Sequence, residues 1–376
     1  MSTRWGMTVP LGGVPLADHA AVFAALTDAG FTDLWTSEVS GTDAFTPLTL
    51  AAAWQPQARL GTAITPVFTR GPALLAQSAA ALAEAAPGRF QLGIGASSPV
   101  VVGDWNAAEY SRPYARSRDM LRFLRSALAG ELVDKQFPTF AVRRFRLERP
   151  PAVPPQILLA ALRPGMIRLA ATEADGVIIN WLAATDVPQV MAELTPPPAD
   201  ASGAADASGS GSASASGSAS GSGSAPGSGS APGLGGAAGL GGAAGLGGDF
   251  DVVARIFVCP TADAEFARTA GRRMIAAYLT VPAYAEFHRW LGRADVLEPV
   301  WKAWAAGDRR AALAAIPDSL VDELIVHGEP EQCRDHVLAY AKAGVTVPVM
   351  ALLPTPELTA TGPQALAALL PRLAPS

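Results

Sequence analysis

Leu60-Gly61-Thr62-Ala63-Ile64-Thr65-Pro66-Val67-Phe68-Thr69-Arg70-Gly71-Pro72 opens a stretch that ends in Pro87-Gly88-Arg89-Phe90-Gln91-Leu92-Gly93-Ile94. Together they hold one complete structural unit. Leu60–Thr65 is a short apolar run and reads as a strand. Pro72 suits the first turn of a helix, where its missing N–H costs nothing, and Pro87-Gly88 stops that helix. Phe90–Ile94 is a second apolar run. Neither run alternates apolar with polar residues, so both describe strands buried on both faces, as in a parallel sheet. Strand, helix and strand within about 30 residues make one βα unit.

The unit repeats on either side. Upstream, Trp5–Val9 reads as a strand and Leu16–Ala29 as a helix ended by Gly30. Thr32–Thr36 is a second strand and Pro47–Trp54 a helix. Downstream, Pro113–Ala129 places Leu121, Leu124 and Leu128 on one helical face. Phe137–Leu147 reads as a small hairpin or excursion. Ile157–Ala161 and Gly176–Ile179 are apolar runs flanking a helix near Met166–Ala171. Val252–Val258 is a strand, followed by a helix over Asp263–Leu279 and more helix within Tyr284–Ala315. Ile325–His327 is a short extended piece. Gly328-Glu329-Pro330-Glu331 starts a helix, with proline in its first turn and acids at its positive end. Val345–Leu353 closes as a strand in which Pro348 marks a bulge or a strand start. A last helix lies near Pro363–Leu370. About eight strand–helix units predict an α/β protein with a closed (β/α)8 TIM barrel. The rival open, doubly wound sheet would carry GxGxxG after its first strand, and none is present.

Residues 199–248 break the pattern. They are almost wholly Gly, Ser, Ala and Pro, and end in Gly233-Leu-Gly-Gly-Ala-Ala, repeated from Gly239 and truncated from Gly245. Such a segment cannot bury enough apolar area to offset its ordering entropy. It reads as a disordered insertion, either a linker or a long surface loop. Because strand–helix units resume after it, the loop is preferred: residues 1–198 and 249–376 are expected to form one barrel domain. Each doubling of loop length adds only about 0.6 kcal/mol to closure.

Composition narrows the function classes. Charged residues are 16% of the 376 and the net charge is −5, so no basic surface points to nucleic acid or an anionic membrane. No run of about 18 apolar residues suggests a membrane span. Met1–Ala20 is broken by Pro10, Gly12, Gly13 and Pro15 and is no signal peptide; a cytoplasmic location is expected. Cys259 and Cys333 form no CxxC, and His19, His288, His327 and His336 show no metal spacing.

Barrel chemistry sits at the C-terminal ends of strands. Glu38 follows strand two and reads as a site carboxylate or a loop acid. Arg70 follows strand three and could pair with an anion or lie on the rim. Gly93-Ile94-Gly95-Ala96-Ser97-Ser98 follows strand four. Its glycines bring backbone close to a ligand and Ser97 and Ser98 add hydroxyls, which suits a phosphate or a flat ring. Arg163-Pro164-Gly165-Met166 follows strand five and opens a helix, a plausible anion cradle. His327 at a strand end reads as structural. Trp35, Phe68, Trp105 and Trp181 would line a pocket for an apolar or aromatic molecule, or pack the core.

Taken as a set, these segments resemble the bacterial-luciferase-like superfamily, in particular its deazaflavin-dependent oxidoreductases. The residues that carry the likeness are Gly30-Phe31-Thr32-Asp33-Leu34-Trp35-Thr36-Ser37-Glu38, Leu60–Pro72 and Gly88–Gly95. They continue in Trp105-Asn106, Arg116-Ser117-Arg118-Asp119, Gly130-Glu131, His327–Glu331 and Ala343–Pro348. The likeness spans nearly the whole chain outside 199–248. It implies coenzyme F420, or alternatively FMN, at the C-terminal mouth of the barrel. A strand-three bulge, often with a non-proline cis peptide, supports the ring in the family and maps here to Ala63-Ile64-Thr65. Gly93, Gly95, Ser97 and Ser98 with Arg163, Gly165 and Met166 would hold the ring edge and phosphate. Glu38 falls where relatives carry an acid near the ring and is the nominee for proton handling; the next position, often His in relatives, is Val39. The implied activity is hydride transfer to or from a small-molecule substrate. With FMN the same barrel would run as a monooxygenase, and a barrel lacking either would be a binding protein. Dimers are common in the family, so a homodimer is the partner the resemblance allows.

Overall fold

The computed structural model describes residues 4–195, 249–356, 358 and 363–375. The expected insertion, 199–248, lies outside the described residues. Eight parallel strands close on themselves: β1 (Gly6–Thr8), β2 (Asp33–Thr36), β3 (Arg59–Thr62), β4 (Phe90–Gly95), β5 (Gln156–Ala160), β6 (Gly176–Asn180), β7 (Asp251–Pro260) and β8 (Val347–Leu352). β8 pairs back onto β1 through Gly6↔Val349 and Met7↔Met350, which closes the barrel. β7 pairs with β6 directly, Val253 opposite Ile178, across the undescribed segment. Pro348 is the second residue of β8 and lies opposite Ala254 in the ladder. It marks the strand's start, and no bulge forms there.

Helices α1 (His19–Asp28), α2 (Phe45–Trp54), α3 (Pro72–Ala85), α4 (Pro113–Leu128), α5 (Pro164–Glu173) and α6 (Val187–Leu194) follow the first six strands. α7 (Pro330–Lys342) precedes β8 and α8 (Pro363–Leu373) follows it. Proline opens α3, α4 and α5 at their first turns, as the sequence predicts. Val133–Gln136 and Ala141–Phe145 form the antiparallel hairpin before β5. The short strand Ile325–Gly328 is outside the barrel, paired with the far half of β7 and bridged at Gly328 to Thr261 just beyond it. Among the described residues no helix is long and apolar enough to cross a membrane.

The bore is filled from one side by Trp35, which is 0% exposed. A Cβ at Gly61 would sit 2.4 Å from its ring, and one at Gly6 would sit 2.9 Å from it. Both strands need glycine there because the indole lies across them. Leu158, Ile178, Val253, Val347 and Val349 complete this interior layer.

The N-terminal end of the barrel is closed by a polar plug. Arg4 pairs with Asp33, and with Asp251 at 2.7 Å, and donates to Gln91 at 3.0 Å. Gln91 donates in turn to Asp251 at 2.6 Å and to Gln156 at 2.7 Å. Four strands are thereby tied at the end that carries stability in such barrels.

Between β7 and Ile325 run five helices: Ala264–Leu279, Pro282–Trp290, Ala294–Ala305, Arg309–Ala314 and Asp318–Leu324. They build a second apolar cluster, which includes Trp181, Phe257, Ala351 and Leu353 from the C-terminal ends of β6, β7 and β8. The excursion therefore roofs that side of the barrel mouth.

Candidate active site at the barrel mouth

The mouth has two unlike halves. On the β3–β5 side the Ala63–Ile64 peptide is cis. The chain bulges there and re-enters the sheet as Thr65-Pro66, paired with Ile94 and Gly95 of β4. Three backbone hydrogen bonds hold the bulge. Ala63 N–H donates to the Thr36 carbonyl at 2.6 Å, Glu38 N–H to the Ile64 carbonyl at 3.1 Å, and Val67 N–H to the Gly95 carbonyl at 2.9 Å. A Cβ at Gly95 would lie 2.9 Å from Ala160 Cβ and 3.1 Å from Ile64 Cδ1. Glycine thus lets Ala160 and Ile64 close in, and the bulge and Gly95 together form a packed backbone shelf. Thr65 is fully buried, and its hydroxyl has no hydrogen-bond partner among the described residues. Gly93 serves packing: a Cβ there would fall 1.9 Å from the Thr62 carbonyl oxygen.

Beyond Gly95 the chain turns outward. Ser97 takes φ 62°, a left-handed conformation, and its carbonyl accepts from the Tyr110 hydroxyl at 3.4 Å. Ser98 Oγ accepts the Val101 N–H at 3.3 Å and steadies the π-helical turn Val100–Asp104. Arg163 caps the start of α5 and is exposed, close enough to Tyr110 for their charges to interact. Gly165 is exposed and open. Met166 has less to offer, since its side chain packs on the core and its N–H is used by the Arg163 carbonyl at 2.9 Å. The bulge, Gly95, Ser97, Ser98 and Arg163 therefore lie along one arc of the rim, on β3, β4 and β5, which are neighbours in the sheet.

Glu38 lies at the seam between the halves. Its carboxylate accepts from Arg70 Nη2 at 2.8 Å and Nε at 3.3 Å, and from the Ala44 N–H at 3.0 Å. Arg70 in turn lies over the Phe45 ring at 5.0 Å. Of the two readings of Arg70, the rim pairing with a protein acid is the one observed. His327 is similarly held by Asp322 at 2.9 Å, within an Arg268 ion pair, in keeping with a structural role. Trp105 is 54% exposed, whereas Trp35 and Trp181 are buried and Phe68 leans on Tyr110 at 5.0 Å.

The β7–β8–β1–β2 side contains a cavity of about 290 Å³, walled by Thr8, Ser37, Val39, Ser40, Arg255 and Tyr278 among others. Sequence reasoning missed this half. Arg255 shares its side of β7 with Val253, so it points into the bore. Its guanidinium lies 4.9 Å from the Phe257 ring centroid and leans on the Tyr278 hydroxyl. Burial pushes its pKa below the usual arginine value. Beside it, Asn180 donates to the Tyr284 hydroxyl at 3.3 Å. That hydroxyl lies in enclosed ground, which pushes its pKa up to about 12. The signal was present in the sequence: one arginine inside the apolar run Val252–Val258.

Comparison with known proteins agrees with this architecture. The family model described as luciferase-like monooxygenase matches residues 2–204 and 237–347. A Mycobacterium tuberculosis protein named as a coenzyme F420-dependent oxidoreductase is 27% identical over 362 residues, covering 90% of this chain and 92% of its own. Among solved structures, the F420-dependent tetrahydromethanopterin reductase of Methanopyrus kandleri superposes with a TM-score of 0.68 at 17% identity, over 98% of both chains. An F420-dependent secondary alcohol dehydrogenase gives 0.70 at 13% identity, over 100% of both.

Proposed function

Because the chain belongs to the luciferase-like monooxygenase family, we propose that it is a coenzyme F420-dependent oxidoreductase working on a small organic substrate at the barrel mouth. The observation that carries this reading is the shelf at Gly95: a bulge fixed by three backbone hydrogen bonds, on which Ile64 and Ala160 close because Gly95 has no side chain. A rigid support built largely from backbone suits a tricyclic ring. The name of the Mycobacterium tuberculosis relative points to the deazaflavin rather than FMN.

In this reading Ala63, Ile64 and Thr65 support the ring from below and Gly95 lets it approach backbone, while Gly93 packs β4 against Thr62 and Ile178 beneath it. The Thr65 hydroxyl supplies a buried donor without another partner. Ser97, Ser98, Arg163 and Gly165 face the phosphate-bearing tail, with Met166 shaping the turn beneath them. When bound, the coenzyme supplies hydride chemistry; the protein orients it, excludes water and selects the substrate. Trp35 and Trp181 keep the bore dry. Glu38 is the nominee for moving a proton, at the seam where both halves can reach it, and Arg70 fixes its position.

Titration of the purified protein with oxidised F420 and, separately, FMN tests the reading through coenzyme fluorescence. Tight F420 binding with weak FMN binding is the expected result. The reverse preference would replace the reading with a flavin monooxygenase, and binding of neither would replace it with a binding protein.

A further inference from the structure

Arg255 is a cation placed where the barrel needs none for folding. The interior layer below it is built from Trp35, Leu158, Ile178, Val253, Val347 and Val349. Among the described residues no carboxylate lies within ion-pair distance of its guanidinium, whereas Arg4, Arg70, Arg268 and Arg293 are each matched by an acid. The nearest hydroxyls are Thr8 Oγ1, 3.5 Å from Nε, and Tyr278. A guanidinium carries five N–H donors in a planar fork. Two neutral hydroxyls satisfy only part of it, and Arg255 lines the cavity that Ser37, Ser40 and Thr42 also wall. A half-buried cation without a counter-charge is costly. Its retention on an inward-facing strand position makes sense when a ligand brings the counter-charge.

The order of strands around the barrel separates this group from the coenzyme shelf. The shelf is on β3–β5, while Arg255 is on β7 with β8, β1 and β2 to its side. We propose that Arg255 is a specificity-determining residue that binds an oxyanion, carboxylate or phosphate, on the substrate, with hydroxyls of Thr8 and Ser37 completing its shell. This rests on the mouth being the active site and adds the substrate class to that reading. The cavity, at about 290 Å³, is near the lower end of small-ligand pockets, which favours a small acid over an extended chain.

The test uses binding alone, without coenzyme. Trp181 and Tyr278 pack near Arg255 with their rings tilted, centroids 4.9 Å apart, so intrinsic fluorescence reports occupancy. Wild-type protein is titrated with 3-phenylpropanoate, phenyl phosphate and the neutral 3-phenylpropanamide. At least a tenfold preference for one acid over the amide is expected, and which acid wins separates a carboxylate site from a phosphate site. Arg255→Gln is expected to reduce that preference to within twofold, and Arg255→Lys to keep part of it, since it keeps the charge and loses the fork. Equal binding of acids and amide by wild type, which needs no variant to fold, would overturn the proposal. So would an acid preference that survives in R255Q. F420 affinity is measured on the same samples: R255Q is expected to bind the coenzyme as wild type does. A tenfold loss there would assign Arg255 to the coenzyme and overturn this inference while leaving the F420 reading intact. Failure of wild type to bind F420 removes that reading without touching the acid-against-amide result.

Discussion

Gly95→Ala is the smallest change that tests the proposed coenzyme shelf. The added Cβ would stand 2.9 Å from Ala160 Cβ and 3.1 Å from Ile64 Cδ1. Carbon atoms rest at about 3.5–4.0 Å, so roughly 0.6 Å or more is missing toward Ala160. Ile64 Cδ1 is the end of a flexible side chain and can rotate away. Ala160 Cβ is fixed to β5, which is laddered to β4 and β6 on its two sides. The strands themselves must therefore give, and overpacking of this kind costs about 1–3 kcal/mol. An unfolding entropy of about 2.1 cal/mol/K per residue, over 376 residues, is roughly 0.8 kcal/mol/K. The expected fall in Tm is thus about 1–4 °C, a folded and measurable variant. The effect on the coenzyme should be larger, because the displacement of Ala160, Ile64 or the bulge deforms the surface against which the ring would lie: a loss of at least tenfold in F420 affinity, or about 1.4 kcal/mol. Thermal unfolding and F420 titration of G95A, A160G and the double variant form a cycle. Removing the Ala160 methyl should recover stability in the G95A background, with a coupling of about 1 kcal/mol. Additive behaviour would show that the clash was misread. Unchanged F420 affinity in G95A would show that the coenzyme does not lie against Gly95.

Three further outcomes follow from the same coordinates. Arg4→Met leaves Asp33, 1% exposed, without its counter-charge; breaking a buried pair costs about 3–5 kcal/mol, and because Arg4 itself keeps some solvent contact about 2–3 is expected. Urea unfolding checks this, with F420 affinity unchanged because the plug is at the opposite end of the barrel; a loss below about 1 kcal/mol would contradict it. His288 is fully buried, and burial, then Arg293, lowers its pKa from 6.5 to about 3. The unfolded chain therefore binds the extra proton between those values, so stability is present above pH 6.5 and is lost as pH falls toward 3, with a slope of up to about 1.4 kcal/mol per pH unit. Wild type should lose stability faster than His288→Leu between pH 6 and 4, and parallel profiles would refute the assignment. Glu38→Gln should lower kcat by about 100-fold and remove one limb of the pH–rate profile if the carboxylate moves a proton; a kcat within threefold with only KM raised would instead leave it as the anchor of Arg70 and the Ala44 N–H.

The barrel was legible because its strands are continuous apolar runs, a pattern that survives without any partner information. Boundaries drifted by a residue or two, as at Leu60–Thr65, which divides into Arg59–Thr62 and Thr65–Pro66 around the cis bond. Helix Val187–Leu194 went unread because Val187-Pro188 looks like an interruption, although proline fits a first turn. Tyr284–Ala315 reads as helical in bulk but divides at Gly292 and Gly307, both at positive φ. That the strand Ile325–Gly328 stands outside the barrel could not be seen locally, since its composition matches the barrel strands and only pairing distinguishes it.

The site was legible on one side only, and the reason is physical. The proposed coenzyme seat is made of glycine, serine and backbone, which announce themselves as a cluster in one loop. The cavity opposite is assembled from single residues distant in sequence, on strands, a loop and a helix: Thr8, Ser37, Arg255 and Tyr278 come from four segments. None forms a motif with its sequence neighbours. Arg255 alone breaks a local rule, because a charged residue in a strand buried on both faces has no cheap structural explanation. Glu38 shows the converse. It sits where a reactive acid is expected, yet Arg70 and Ala44 already occupy both its oxygens. The more informative charge at this mouth is that of Arg255, which meets hydroxyls and no described carboxylate. If the acid-against-amide preference is carried by Arg255, selection of the substrate and seating of the coenzyme lie on opposite arcs of the same rim, and either can be altered by substitution without disturbing the other.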